Sequence, residues 1–327
     1  MVKYIIKRLL LSIFILLGVS LILYCLVRIL PPNIIYQKLQ SMSVAGADAA
    51  KLEAELRAQY GLDGGVLEGY WNWLQSFIQG DFGTSWKYAD PVEDIIFRDM
   101  GISFAISLVS LILQLLIAIP LGIKCACNQY GKLDYFATFL TMLGISFPTF
   151  FLGSILIKVF ALDLGWFPSG GIELPSGGET GGIMGTLLML KSLVLPMFLL
   201  TVLSIGSWLR YTRTNTLEVL NADYIRTARA KGLSENSVVY KHVFRNTLIP
   251  LVTVLAGTLP SLFGGAMITE TIFDLPGIGN TAYKAMLEND IPFIMTYNMF
   301  IAVLTVIGIL LTDIMYAVVD PRVKLGE

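Results

Sequence analysis

The sequence predicts an all-α membrane protein with six transmembrane helices, and three observations carry that prediction. Of 327 residues, 55% are hydrophobic and only 14% are charged, whereas a soluble domain carries about 25% charged residues to wet its surface. Apolar runs of about 20 residues, enough to cross roughly 30 Å of hydrocarbon, occur six times. Basic residues are unevenly shared among the segments between those runs, as membrane topology requires. The same composition excludes intrinsic disorder. Three cysteines make no disulfide framework, and a formal net charge of −1 offers no footprint for nucleic acid.

The first run, residues 9–30, follows Lys3, Lys7 and Arg8. Its 22 residues exceed a signal-peptide core and no small-x-small cleavage site follows, so residues 1–30 are expected to stay as an anchor helix. Residues 31–100 form a large loop with structure of its own. From Asp48 to Tyr60, Leu52 and Leu56 share a face, Glu53 pairs with Arg57 and Gly61 supplies a stop, which predicts a short helix. The stretch Tyr70-Trp71-Asn72-Trp73-Leu74-Gln75-Ser76-Phe77 then fits a segment at lipid headgroup level. A docking surface for an outer partner is the other reading. The core, 101–319, holds the remaining runs at 101–123, 136–160, 187–209, 247–272 and 297–319, ahead of a short tail at 320–327. Pro148, Pro196, Pro250 and Pro260 fall inside these runs, where neighbouring helices can satisfy the carbonyls that proline frees.

Segments 1–8, 124–135, 210–247 and 320–327 carry 14 basic residues against 6 acidic ones, while 31–100, 161–192 and 273–296 carry 7 against 16. Cytoplasmic segments collect Lys and Arg, so both termini are expected inside. Seven of the 14 lie in the 210–247 segment. There Asn221 can cap a short Ala-rich helix, Gly232 can end it, and Ser234 can cap a second helix leading through Val238, Val239 and His242 into the fifth run. Two short helices at a tight turn make a rigid knob, which suits docking better than passive retention of charge.

Chemistry is mostly missing. Gly131-Lys132 is followed by Leu133 and lacks the upstream glycine of a phosphate loop, so no nucleotide hydrolysis is expected from this chain. The single histidine, His242, has no nucleophile motif nearby. Cys125 and Cys127 stand without further metal ligands and read as inert thiols. No catalytic residue and no metal site are therefore expected. Small and polar residues instead form helical stripes: Ser103, Ser107, Ser110 and Gln114; Thr253, Gly257, Ser261 and Gly264; Asn298, Ala302, Thr305 and Thr312. Each stripe alone fits interhelical packing, but three together favour a polar interior. Ser107, Gln114, Pro148, Gly257, Ser261 and Thr305 are the candidate residues of a translocation path. Arg28, Lys158 and Glu270 lie near enough to an outer boundary to snorkel. Asp313 lies deeper, yet no relay of ionisable groups stands at mid-depth to drive an ion-coupled carrier.

The loop Asp223-Tyr224-Ile225-Arg226-Thr227-Ala228-Arg229-Ala230-Lys231-Gly232-Leu233-Ser234 closely resembles the coupling loop of ABC-importer permeases, in the B-type version of the dipeptide, oligopeptide and nickel group. The resemblance extends through Gly80-Asp81-Phe82-Gly83-Thr84-Ser85, Ser146-Phe147-Pro148-Thr149-Phe150 and Leu164-Gly165-Trp166-Phe167-Pro168. It continues in Glu270-Thr271-Ile272-Phe273-Asp274-Leu275-Pro276-Gly277-Ile278-Gly279, then Asp313-Ile314-Met315-Tyr316 and Asp320-Pro321-Arg322. Two departures stand out. The usual Glu and one Ala of the loop are missing ahead of Ala228 and Gly232, and Pro31-Pro32-Asn33 stands where the group has Pro-Gly-Asp-Pro.

The resemblance implies a type I importer permease fold in a bacterial or archaeal cytoplasmic membrane. It implies pairing with a homologous C-type permease subunit, two cytoplasmic ATPase subunits that bind the ATP and Mg²⁺, and an extracytoplasmic solute-binding protein. It also implies peptides as solute, with the same machinery serving nickel chelates or another small solute as the alternative. An autonomous secondary transporter is a further alternative. Tyr224, Arg226, Thr227, Ala228, Arg229, Lys231 and Gly232 would form the element seated in the ATPase, with Arg226, Arg229 and Lys231 free for polar contacts.

Overall fold

Each apolar run folds into helix, and most of the helices outgrow the run that predicts them. The computed structural model describes residues 2–29, 65–172 and 182–319; the helix expected over 48–60 and the tail at 320–327 lie outside these. In chain order the helices are α1 (Val2–Ile29), α2 (Val66–Ile78), α3 (Val92–Cys127), α4 (Lys132–Ser146) and α5 (Thr149–Leu156), which continues as a π-helical turn at Ile157–Asp163. Then come α6 (Ile183–Leu220) and α7 (Asp223–Ala230). A turn at Glu235–Ser237 and a π-helical stretch at Val238–Val243 lead into α8 (Phe244–Phe263). The last three are α9 (Met267–Ile272), α10 (Ile278–Leu287) and α11 (Ile291–Val319). Extended pairing among the described residues is limited to the bridge between Thr84 and Pro91.

Among the described residues five stretches, Ile6–Arg28, Val92–Cys127, Ile183–Leu220, Glu235–Ile272 and Ile291–Met315, are long and apolar enough to cross a membrane. The sixth expected span, 136–160, is not one rod. It is the pair α4 and α5, bent by 99° at Pro148. Proline has no N–H to donate and drives the residue before it out of the helical region; Phe147 accordingly sits at φ −82°, ψ 129°. The Ser146 hydroxyl donates back to the Met142 carbonyl at 2.7 Å, within the last turn of α4. Pro120, Pro196, Pro250 and Pro260 remain inside continuous helices.

The chain divides into two compact units. The first joins residues up to Asp99 with Thr281–Ile307. In it α2 packs on α1 through Tyr24, Trp73 and Leu74, together with Met295 and Met299 of α11. The Tyr70 hydroxyl meets the Ser20 hydroxyl at 2.8 Å, in the middle of α1. The aromatic segment thus turns Tyr70 and Trp73 toward protein, while Trp71 stays exposed. Buried Asp290 organises the turn before α3: its carboxylate accepts from the Ser85 hydroxyl at 2.5 Å, the Lys87 N–H at 3.0 Å and the Phe293 N–H at 3.3 Å. Beside it Tyr88 donates to the Thr281 carbonyl at 3.3 Å. Burial, helped by the negative charges of Asp99, Glu288 and Asp290, pushes the Tyr88 phenol up to about 12.

The second unit joins Met100–Asn280 with the chain from Gly308 onward. Here α4 lies against α6 by virtue of small residues. A Cβ added at Gly206 would stand 3.0 Å from the Thr141 Cβ, and one at Gly144 would stand 3.1 Å from the Val202 carbonyl. One end of this contact is closed by a half-buried ion pair, in which Arg213 of α6 donates to both oxygens of buried Asp134, at 2.6 and 2.7 Å. The Tyr130 N–H adds a third bond to that carboxylate at 2.9 Å.

Candidate functional site

The most strongly specified local structure is the knob between α6 and α8. The start of α7 differs from expectation. Asn221 is the last cap of α6, and its side-chain amide donates back to the Leu217 carbonyl at 3.0 Å. The N-cap of α7 is Ala222, whose backbone is extended at φ −70°, ψ 146°. An N-cap must leave the helical region, and Asn221, at φ −88°, ψ −4°, has not. The end of α7 follows the sequence closely. Gly232 adopts φ +78°, its N–H bonds to the Arg229 carbonyl at 2.9 Å, and the Leu233 N–H bonds to the Ala228 carbonyl at 3.4 Å. That is a Schellman ending, which a glycine enters without Cβ strain. The Ser234 hydroxyl then accepts from the Ser237 N–H at 3.4 Å and caps the next helix.

Beneath the knob lies a small apolar cluster in which Ile225 and Ala228 meet Val238 and Val243, backed by Val219 and Leu220. Tyr224, Arg226, Thr227, Arg229, Lys231 and Gly232 are all exposed, and Ala228 alone of the expected docking residues is buried. Thr227 donates to the Asp223 carbonyl at 3.0 Å. Arg226 stands 3.7 Å from the Asp223 carboxylate. Arg229 is not free for a partner as expected. Its guanidinium donates twice to Glu235, at 2.6 and 3.1 Å, and braces the two sides of the turn. These bonds hold the Glu235 carboxyl below the usual range and raise Arg229 further.

A second feature lies between α3, α6 and α8. A cavity of about 260 Å³ is lined by Ser107, Ser110 and Gln114 of α3, Ser204 of α6, and Thr258 and Ser261 of α8, with apolar side chains between them. None of its lining residues is charged. The α3 stripe both packs and lines: Gln114 donates to the Leu200 carbonyl at 3.1 Å and Ser110 to the Met197 carbonyl at 3.3 Å. Three candidate path residues, Ser107, Gln114 and Ser261, come together here. The other three do not line this cavity. Pro148 is the exposed N-cap of α5. Gly257 approaches Thr312 of α11, where an added Cβ would stand 3.5 Å from the hydroxyl. Thr305 belongs to the first unit, is exposed, and returns its hydroxyl to the Ile301 carbonyl at 2.8 Å.

Glu270 departs furthest from expectation. Instead of reaching for a boundary it is 1% exposed, because one of its oxygens accepts from the Ala266 N–H at 2.7 Å and the other from the Asn280 N–H at 3.0 Å. A carboxylate can be buried when backbone donors replace its water. The signal in the sequence was the glycine spacing of Gly265, Gly277 and Gly279 around one acid.

A cavity lined by hydroxyls and an amide, set among helices with apolar outer faces, is the arrangement of a membrane transport component. Residues 118–325 match the family described as binding-protein-dependent transport system inner membrane component, and the chain belongs to that family. It is similar to the oligopeptide transport system permease protein AppB of Bacillus subtilis, at 39% identity over 99% of this chain and all of that one. It is also 31% identical to the dipeptide transport system permease protein DppB of Alkalihalophilus pseudofirmus, over 99% of this chain and all of the relative. Among solved structures, the MetNI methionine ABC transporter in inward-facing form aligns with a TM-score of 0.53 at 19% identity, covering 70% of this chain and 98% of that chain. That likeness establishes a shared fold, the type I permease fold.

Proposed function

We infer that the chain is the B-type permease subunit of an ATP-driven importer that carries di- or oligopeptides across the cytoplasmic membrane. The observation that carries this reading is the 39% identity to AppB, spread over 99% of the chain. The charge asymmetry supports an orientation with both termini and the knob inside. In that orientation the exposed face of α7 meets one of two ATPase subunits, which hold the ATP and Mg²⁺. A homologous C-type permease completes the membrane unit, and an extracytoplasmic solute-binding protein delivers the peptide.

The mechanism is a two-state equilibrium biased at both ends. ATP binding closes the ATPase pair, and a rigid knob seated in each ATPase passes the closure to the helices. The cavity between α3, α6 and α8 is then the part of the path contributed by this subunit. Uncharged hydroxyls and an amide suit a transient site, since they exchange hydrogen bonds with a peptide backbone without holding it. Selection among peptides is left to the binding protein. The test is uptake of a labelled peptide by proteoliposomes holding both permeases, both ATPases and the loaded binding protein. ATP-dependent uptake is expected. ATP-independent uptake by this chain alone would replace the reading with a secondary carrier, and uptake restricted to a nickel chelate would change the solute.

A further inference from the structure

The chain between α8 and α10 folds around the Glu270 carboxylate. Gly265 turns at φ +79° and Asp274 at φ +43°, and the backbone closes on the carboxylate from three sides. A Cβ at Gly277 would stand 2.5 Å from a Glu270 oxygen, one at Gly279 2.9 Å, and one at Gly265 3.1 Å. The Asn280 N–H belongs to the first turn of α10, where no intrahelical acceptor exists, and Glu270 supplies one. The neighbouring Ile278 N–H is taken by the Ser103 hydroxyl of α3 at 2.9 Å. The Glu270 carbonyl accepts from the Leu275 N–H at 2.8 Å. Gly265 and Ala266, which the carboxylate holds through the Ala266 N–H, are themselves part of the cavity wall.

We propose that Glu270 is a positioning residue of the translocation path. Its carboxylate fixes the break between α8 and α9 that walls the cavity and ties that break to the start of α10. The inference rests on the reading of the cavity as path. The chemistry asks for an acid rather than merely a side chain of this size. Both oxygens face N–H donors, so an amide in the same place turns its own N–H₂ against one of them. Losing one bond to a charged acceptor shifts the balance between the ordered and released loop by roughly 10- to 150-fold.

The experiment is peptide uptake by the reconstituted complex carrying Glu270→Gln, with the rate measured against the concentration of loaded binding protein. In parallel, Ser261→Cys, in a background with the native cysteines replaced by serine, reports thiol labelling in the cavity. A maximal rate lowered at least tenfold, unchanged half-saturation and an altered labelling rate at position 261 are expected. Uptake at the wild-type rate overturns the proposal, as does a parallel change in rate and half-saturation with labelling unaltered. If Glu270→Gln does not reach the membrane, Ser103→Ala is read instead; it removes the partner of the Ile278 N–H and should slow uptake about threefold or more, with a wild-type rate again overturning the proposal. Failure of the wild-type complex to import peptide would instead defeat the transport reading itself.

Discussion

Truncating Ile225 to alanine tests whether the stiffness of the knob is what transmits motion. Ile225 is 0% exposed and is the largest of the buried side chains of its cluster, the others being Ala228, Val238 and Val243. So small a cluster has little with which to refill the space, so the cost falls within the about 2–5 kcal/mol typical of such truncations. Taking about 3 kcal/mol, the equilibrium between closed and open knob moves by roughly 150-fold. Hydrogen exchange over residues 221–240, in protein held in a bilayer, should accelerate by that order, while protection around Leu199 of α6, in a separate cluster, is kept. ATP-driven uptake should fall at least tenfold with an unchanged amount of protein in the membrane. Accelerated exchange with wild-type uptake would refute the rigid-transmitter mechanism. Unaltered exchange would show that this cluster is not what holds the knob.

Gly232→Pro cannot adopt φ +78° and deletes the N–H that bonds Arg229, and Ala228→Asp places a carboxylate among Val238 and Val243; each should abolish uptake while surface labelling shows normal insertion. Arg213→Met leaves Asp134, buried at 4% side-chain exposure, with an uncompensated charge, a loss of about 3–5 kcal/mol. Its Tm in detergent should drop by several degrees, and the double variant Asp134→Leu/Arg213→Met should recover most of the loss. The Arg229 brace gives a pH signature. Because hydrogen bonds from Arg229 hold Glu235 below its ordinary value, the stabilisation is complete above the usual glutamate range of about 4.3 and is lost as pH falls through the lowered value. A nitroxide at Asn236→Cys should keep one mobility from pH 8 to 5 and loosen only below about pH 4; a transition near pH 6.5 would point to another group.

Hydropathy made the crossing helices legible because lipid leaves the chain no other way to satisfy its backbone. It could not show where they stop, since α6 continues through polar Arg210, Arg213 and Asn215 to Leu220, helped by side-chain bonds such as those of Arg213 to Asp134 and of Asn215 to the Tyr211 carbonyl. The glycine stop at 232 was legible because a left-handed backbone turn leaves few residue choices. Asn221 was misplaced by one residue because its side chain can serve either neighbouring helix, and here it serves the preceding one. Pro148, Pro196, Pro250 and Pro260 look alike in sequence, yet of these only Pro148 breaks its span. Glu270 and Arg229 were read by distance from a boundary and by charge. Their actual partners, the Ala266 and Asn280 N–H groups and Glu235, follow from turns that hydropathy does not encode. Of the stripe residues, Gly257 shares a face with Ser261 of the cavity and Thr305 falls in a stripe that does not reach it, because a helical period fixes a face and not what that face meets.

The bend at Pro148 bears on how this protein is made. Its two limbs, Lys132–Ser146 and Thr149–Asp163, are each about 22 Å long at 1.5 Å per residue, short of the roughly 30 Å of hydrocarbon. Neither can be released into lipid as a finished crossing. Both instead find their support on α6, where Thr141 and Gly144 of the first limb meet Gly206 and Val202, and Gly153 of the second meets Leu199. That helix begins at Ile183 and emerges from the ribosome after them. The bent segment therefore depends for its packing on a helix that lies after it in the chain.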